Sequence, residues 1–328
     1  MPEGSAGSGP HKAKVAVMLS GKGTTMTALL HASRLPDAPY EIVLVASNIP
    51  DAPGLEIARA EGIATFAHPH RGMAREAHEE IMQAALLDSG AEYVALCGYM
   101  RILTGDFVAQ WTGRMLNTHP SLLPKYKGLD THARAIAAGD SHGGCSVHLV
   151  TAELDDGPLL GQLPVAILPG DTPDELGDRV RLAEYQLYPR CLADYVARPY
   201  RADWLYEQVR EPALALPEAE ARDSHGSPGF RTGGKSGKFF AHFADRHHGS
   251  QHIALLVKTD GPDEMAALIE RDPAAYFRPD YYGASGWVGL ILNRPGLDWE
   301  HVRQWLARSW RSVAPARLTR LQDAADAF

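Results

Sequence analysis

The chain has 328 residues, more than one ordinary domain needs, so two domains are expected. Its apolar fraction of 45% is enough for a sizeable core, and a net charge of -8 gives no general reason to expect nucleic acid or an anionic membrane as partner. No stretch approaches the length of a membrane span, and residues 1–12, polar and rich in Gly, Ser and Pro, read as a disordered tail lacking the apolar core of a signal peptide. In chain order, Val15 to Leu19 is a short apolar run of buried-strand type. Ser20-Gly21-Lys22-Gly23-Thr24-Thr25 follows, and then a helical pattern with Met26, Leu29 and Leu30. Strand, glycine-rich turn and helix start together aim backbone N–H groups and the positive helix end at an anion. Lys22 adds a charge, and Thr24 and Thr25 offer hydroxyls for a cap or for phosphate oxygens. The stretch is neither a Walker loop nor a full dinucleotide G-x-G-x-x-G, and a plain tight turn also satisfies it.

Glu41 to Ser47 predicts a second strand, Ile63 to Phe66 a third and Tyr93 to Cys97 a fourth. Helical patterns lie between them, with Leu55 and Ile57 in one and Met73 to Leu87 in another. Gly98-Tyr99-Met100-Arg101-Ile102-Leu103 is the loop beyond the fourth strand. Met115 to Thr118 predicts the fifth strand, which opens into Asn117 to Gly128, where two prolines and a glycine forbid regular structure. In an extended chain residues two apart face one side, so Asn117 and His119 can point at the same reacting atom. Asn offers two N–H donors, and His donates, accepts or carries charge near neutral pH.

A helix near Thr131 to Ala138 precedes an alternating strand, Gly144 to Val150, which ends at Glu153-Leu154-Asp155-Asp156-Gly157-Pro158. The adjacent carboxylates are either a solvated turn or, near a histidine in a cleft, a group that orients the imidazole. A strand from Leu160 to Ile167 and a helix from about Thr172 to Tyr195 complete this half. Alternating strands and helices imply βαβ units and a largely parallel sheet, with the strand-end loops on one edge. The Gly21–Thr25 turn, the Met100–Leu103 loop and the Asn117–Gly128 loop are therefore expected in one cleft. Cys97, Cys145 and Cys191 are an odd number without paired short spacing, as buried reduced thiols in the cytoplasm would be.

From about Lys14 to Ala202 the chain closely resembles the phosphoribosylglycinamide formyltransferases of purine biosynthesis. The resemblance is carried by Ser20 to Thr24, Gly98 to Leu103, Asn117 to His132, Gly144 to His148, Glu153 to Pro158 and Leu187-Tyr188-Pro189. It implies a Rossmann-like α/β domain over 13–202 that uses 10-formyltetrahydrofolate as co-substrate and no metal. It implies that Asn117, His119 and Asp155 are catalytic. The ribonucleotide is implied at Ser20, Gly21, Lys22, Gly23, Thr24, Thr25 and Glu184. The folate is implied at Arg75, Met100, Arg101, Ile102, Leu103 and Asn117. Two positions depart from the family: Thr25 stands where Asn is usual, and Tyr185 where His follows the glutamate. The implied chemistry is attack of the substrate amine on the formyl carbon carried on N10. Asn117 and protonated His119 stabilise the developing oxyanion, each such donor contributing ~3 kcal/mol. Asp155 holds His119 protonated and helps move the amine proton. His68 and His70, and the pair His247-His248, come without a Cys/Asp/Glu ligand set, so no metal is expected there.

Two other readings of this half differ in class. A deformylase would let water replace the amine, but that relative carries an N-terminal regulatory domain, and the stretch before Lys14 is too short for one. Pro120-Ser121-Leu122-Leu123-Pro124 also fits the transferase. A non-catalytic binding protein would make Thr25 and Tyr185 signs of decay, which the intact Asn117, His119 and Asp155 oppose.

After the short Pro199–Asp203 link, the pattern changes to an α+β domain with an antiparallel sheet, over 203–322. A helix from Trp204 leads to Leu216-Pro217, and Gly229 to Lys235 reads as a hairpin. Lys238 to Phe243, His252 to Lys258 and Trp287 to Leu292 read as strands, and Asp263 to Arg271 and Trp299 to Val313 as helices. The stretch is similar to the MmcQ/YjbR family at Leu216-Pro217, Phe230 to Ala241, Gly286-Trp287-Val288 and Ser309 to Pro315. That family is often labelled DNA-binding. About 15 Lys/Arg against about 17 Asp/Glu after Ala202 demand no basic face, so a solvated charged surface is expected. The residues able to make a basic face are Lys235, Lys238, Arg246, Arg303, Arg308, Arg311, Arg317 and Arg320. Partners are expected to be small-molecule substrates and no membrane; the sequence leaves the oligomeric state open.

Overall fold

The structure is a computed structural model that describes residues 12–224, 226–234, 236–294 and 297–326. The expected tail up to residue 11, and Lys235, lie outside the described residues. The chain divides into two units, one up to Ala197 and one from Arg198.

The first unit is built on seven strands: β1 (Ala13–Leu19), β2 (Tyr40–Ser47), β3 (Thr65–Ala67), β4 (Tyr93–Leu96), β5 (Met115–His119), β6 (His142–Leu149) and β7 (Leu159–Ala166). Their order in the sheet is β3-β2-β1-β4-β5-β6-β7. The first five pair in parallel, and β6 and β7 are antiparallel additions. β1 shows why it lies inside. Val15, Val17 and Leu19 enter one core layer, Ala16 and Met18 the other, and a strand apolar on both faces needs cover on both.

The first layer is closed by α1 (Thr24–Ser33), α2 (Pro53–Ala60) and α6 (Pro173–Ala197). The second is closed by α3 (Arg75–Asp88) and α4 (Gly105–Gln110), where Trp111 is fully buried and donates to Gln83 Oε1 at 2.7 Å. α5 (Thr131–Ala137) precedes β6. Strand order reverses between β1 and β4, and in such sheets ligands bind outside the carboxyl ends of the strands at that point.

Two of the differences from expectation have a local cause. The third strand begins two residues later than predicted, because Ile63 N–H donates to Ala58 O and still finishes α2. α4 was not predicted: six residues are too short to show a period, and its start is set by Thr104, whose side chain accepts the Phe107 N–H.

The second unit carries α7 (Ala202–Leu214), β8 (Ala219–Ser224), β9 (Ser227–Thr232), β10 (Phe239–Asp245), β11 (Ile253–Lys258), α8 (Pro262–Arg271), β12 (Tyr276–Phe277), β13 (Trp287–Ile291), α9 (Trp299–Val313) and α10 (Ala316–Asp326). Its sheet, in the order β12-β13-β11-β10-β9-β8, is antiparallel throughout. α7 and α9 cover one face through Leu205, Val209, Val302, Leu306 and Trp310 against Phe230, Phe240, Leu255 and Val288. Asp298 caps α9 by accepting the N–H groups of Glu300 and His301. The predicted hairpin at Gly229 to Lys235 forms between β9 and β10, which pair antiparallel, and β9 pairs on its other side with the unpredicted β8.

The arginines able to make a basic face are largely neutralised within this unit. Arg303 pairs with Glu300, Arg308 with Asp260 and Glu264, Arg311 with Asp323, Arg317 with Glu218 and Arg246 with Asp245.

Candidate active site

β5 ends at the carboxyl edge of the sheet, beside β4. Asn117 and His119 lie on one side of it, and Thr118 between them faces the other way. The antiparallel register with β6 sets Asn117 opposite His148 and His119 opposite Ser146. Asn117 is half-buried, and His119, His148 and Asp155 are buried.

Asp155 comes from the loop between β6 and β7. Its φ of 51° lies in the left-handed region, where Asp is better tolerated than most residues. The loop reaches the site because Gly157 passes against β6: a Cβ there would stand 1.8 Å from Leu149 O. Asp155 Oδ2 lies 3.3 Å from His119 Nδ1 and accepts the Gly128 N–H at 3.0 Å. Its Oδ1 faces His148 Nε2 at 3.6 Å. Lys127 pairs with the neighbouring Asp156, a second tie between the two loops. Burial pushes the Asp155 carboxyl up, but the facing His148 ring, the Gly128 N–H and the charges of His119 and His148 outweigh it and hold it below the ordinary carboxylate range.

The remaining contacts fix the rings. His119 Nε2 meets Tyr126 O at 2.9 Å, so both of its nitrogens face acceptors and a doubly protonated ring satisfies both. His148 Nδ1 meets Leu149 O at 2.8 Å, which leaves Nε2 to face Asn117 Nδ2 at 3.3 Å. Asn117 retains a second amide N–H beyond that contact. His148 was not a candidate from sequence; its strand alternation and its place opposite Asn117 were the available signals.

Loop residues around this center are pinned from below. Ser146 Oγ donates to Ser121 O at 2.6 Å, and Gln162 Nε2 donates to Leu123 O at 2.8 Å. Tyr126 and Asp130, on the same loop, also adopt left-handed φ of 57° and 56°. Strained backbone of this kind persists only where the surroundings over-determine it, and it clusters at functional sites.

Thr118 Oγ1 donates to Glu184 Oε1 at 3.0 Å. Burial raises the Glu184 carboxyl to about 7, against the opposing pull of Thr118 and Arg181. Glu184 lines a cavity of about 550 Å³ with Pro120, His132, Gly177 and Arg181. Burial lowers His132, and the charges of Arg181 and His119 lower it further.

The Ser20–Thr25 turn leaves β1 at the same edge. Gly23, at φ 74°, opens α1 with no side-chain cap. A Cβ there would lie 2.7 Å from Gly54 Cα, so the turn and α2 approach at glycine contact. Lys22 and Thr24 are exposed, and Thr25 is half-buried. Ser20 is buried with its hydroxyl engaged: it donates to Asn48 Oδ1 at 2.6 Å and accepts from Met100 N–H at 2.8 Å.

On the loop after β4, Met100 and Ile102 are 72% and 60% exposed, large apolar side chains left open beside β5. Arg101 Nη1 donates to His70 O at 3.4 Å, and Leu103 packs partly into the second core layer. Arg75 is exposed at the first position of α3, an end where the helix dipole favours anions. Tyr185 is half-buried on α6.

All three cysteines are free and buried. Among the described residues no group of three His, Cys, Asp or Glu is arranged to hold a metal ion, and no helix is long and apolar enough to cross a membrane.

The formyl transferase family model matches residues 13–192, and the YjbR model matches residues 214–312. The phosphoribosylglycinamide formyltransferase of Escherichia coli is 41% identical over 180 residues, which cover 55% of this chain and 85% of that protein. The trifunctional purine biosynthetic protein adenosine-3 of Bos taurus is 40% identical over 184 residues; these are 56% of this chain but span only 18% of that relative. A solved phosphoribosylglycinamide formyltransferase from Brucella melitensis superposes with a TM-score of 0.55 at 45% identity, over 57% of this chain and 96% of that one.

Proposed function

The chain belongs to the formyl transferase family, and we propose that its first unit transfers the formyl group of 10-formyltetrahydrofolate to the amine of glycinamide ribonucleotide. The observation that carries this reading is the contact of His119 with Asp155 beside Asn117, at the carboxyl end of β5. The substrate amine attacks the formyl carbon, and negative charge develops on the formyl oxygen. Asn117 supplies an amide N–H to that oxygen. His119 supplies the second donor once the oxygen replaces Tyr126 O at its ring. Asp155 keeps a proton on His119 Nδ1 and, as an ionised carboxylate, receives the proton that the attacking amine must lose. That proton then serves N10 of the departing folate.

The Ser20–Thr25 turn with Lys22 takes the ribonucleotide phosphate at the start of α1, where uncapped N–H groups and the helix dipole favour an anion. Glu184 takes the ribose hydroxyls. The exposed Met100 and Ile102, with Arg101, Leu103 and Asn117, flank the folate, and Arg75 meets its anionic tail. No metal has a step to perform in this scheme.

We assign the domains as 13–202 and 203–322, the second a YjbR-like unit. Its carboxylate-paired arginines support a solvated surface over a nucleic-acid face, because a phosphate would have to displace existing carboxylates. Buried free thiols support a cytoplasmic protein.

The test is release of tetrahydrofolate from 10-formyltetrahydrofolate, with and without glycinamide ribonucleotide. The transferase releases folate only with the ribonucleotide. Release without it identifies a deformylase, and no release in either arm identifies a binding protein.

A further inference from the structure

Four loops leave the carboxyl edge after β3, β2, β1 and β4, which is also their order across the sheet. One chain of hydrogen bonds crosses all four in that order. His70, beyond β3, sets Nδ1 3.1 Å from Asn48 Nδ2 and 3.0 Å from Asn48 O. Asn48, beyond β2 and 3% exposed, accepts the Ser20 hydroxyl at 2.6 Å. Ser20, beyond β1, accepts the Met100 N–H at 2.8 Å, and its own N–H donates to Gly98 O at 3.1 Å. Arg101, one residue past Met100, returns to His70 O at 3.4 Å.

We propose that Ser20, Asn48 and His70 are positioning residues. They hold the Met100–Leu103 loop in register with the Ser20–Thr25 turn, and so set the folate subsite against the ribonucleotide subsite. The proposal rests on the functional reading above. It moves Ser20 from phosphate ligand to scaffold. A hydroxyl has one proton, and that of Ser20 is spent on Asn48, so its side chain has no donor left for a phosphate oxygen. Donation by Ser20 also fixes the Asn48 amide with its oxygen toward Ser20 and its nitrogen toward His70. The contact with His70 survives either protonation state of the ring: unprotonated Nδ1 accepts from the amide, and protonated Nδ1 donates to Asn48 O. All three side chains act through backbone that presents the subsites, so their loss should move the folate loop first.

The test uses the full chain and steady-state kinetics with both substrates. Ser20→Ala and Asn48→Ala should each raise KM for 10-formyltetrahydrofolate about tenfold and change KM for the ribonucleotide less than threefold, because a buried hydrogen bond that orders the folate loop is lost. The double variant should be no worse than the poorer single one, as members of one network are non-additive. Ser20→Thr, which keeps the hydroxyl, should restore the folate KM. A rise confined to the ribonucleotide KM, the mark of a phosphate ligand, overturns the proposal, and so do additive losses or no change in either KM. Should the alanine variants fail to fold, amide exchange in the parent protein decides: the Met100 N–H should be protected without ligands, and rapid exchange there overturns the relay. A parent protein that transfers no formyl group overturns the functional reading instead, and the Met100 amide then decides the relay by itself.

Discussion

His119 Nδ1 lies 3.3 Å from Asp155 Oδ2, the same oxygen that accepts the Gly128 N–H at 3.0 Å. One carboxylate oxygen thus holds both the ring and the loop that passes over it. His119→Ala and Asp155→Asn should each lower kcat by about 10²–10⁴-fold while KM moves little, because both groups act on the transition state. A loss confined to KM would remove them from the chemistry. The Asp155 carboxyl is held below its ordinary value in the folded chain. Its contribution to stability is therefore present above the unfolded value and is lost as pH falls through the folded one. Asp155→Asn should lack that acid-side loss in a melting series against pH.

His148 stands between Asn117 Nδ2 at 3.3 Å and Asp155 Oδ1 at 3.6 Å. Removing the ring takes away the acceptor that orients the Asn117 amide and frees that amide to rotate. His148→Ala should lower kcat by about 10²-fold, the scale of losing one oriented donor. An unchanged kcat would show that Asn117 is oriented without this ring.

Much of this site is legible in the residues themselves, and what is not has physical causes. β5 and its loop announce themselves through Met115-Leu116 followed by two prolines and a glycine. The spacing of Asn117 and His119 gives their common direction without any contact map. His148 escapes because its role depends on antiparallel register with β5, which no local pattern encodes. Ser20 is legible as part of a glycine-rich turn, yet its side-chain bonds are set by Asn48 and Met100, 28 and 80 residues away. The arginine cluster of the second unit is visible as charge, whereas its pairing with Asp260, Glu264, Glu218 and Asp323 is decided by tertiary packing. α10 escapes for a related reason: among its described residues from Thr319 to Asp323 none is buried, so little of it reads as core.

Glu184 is the buried carboxylate whose ordinary charge state is most disturbed. Its value is about 7 in the folded chain and 4.5 when free of the fold. Between those values the unfolded chain has released a proton that the folded chain keeps, so stability falls as pH rises across that window. The loss is of the order of 3 kcal/mol. Glu184→Gln keeps an acceptor for Thr118 and removes the charge. It should melt close to the parent at pH 5 and several degrees above it at pH 8, while weakening ribonucleotide binding. Parallel melting curves for the two proteins from pH 5 to pH 8 would show that burial of Glu184 has no such cost.

The groups assigned to formyl transfer all lie before Ala197, where the first unit ends, and that unit closes two core layers of its own around β1. The second unit likewise encloses a separate core between α7, α9 and one face of its sheet. Each has the size and the buried apolar surface of an independently folding domain. A fragment ending near Arg201 should therefore remain folded and retain most of the transferase activity. A fragment beginning at Ala202 should fold and show none. Near-complete loss of kcat in a fragment that is folded by circular dichroism would sink the prediction, because the second unit would then have to order the site. The same second fragment allows the nucleic-acid question to be settled. With Arg303, Arg308, Arg311 and Arg317 already paired to carboxylates, titration with duplex DNA at low salt should show no binding. Binding that falls steeply with added salt would show that phosphates displace those carboxylates and that the face is a nucleic-acid surface after all.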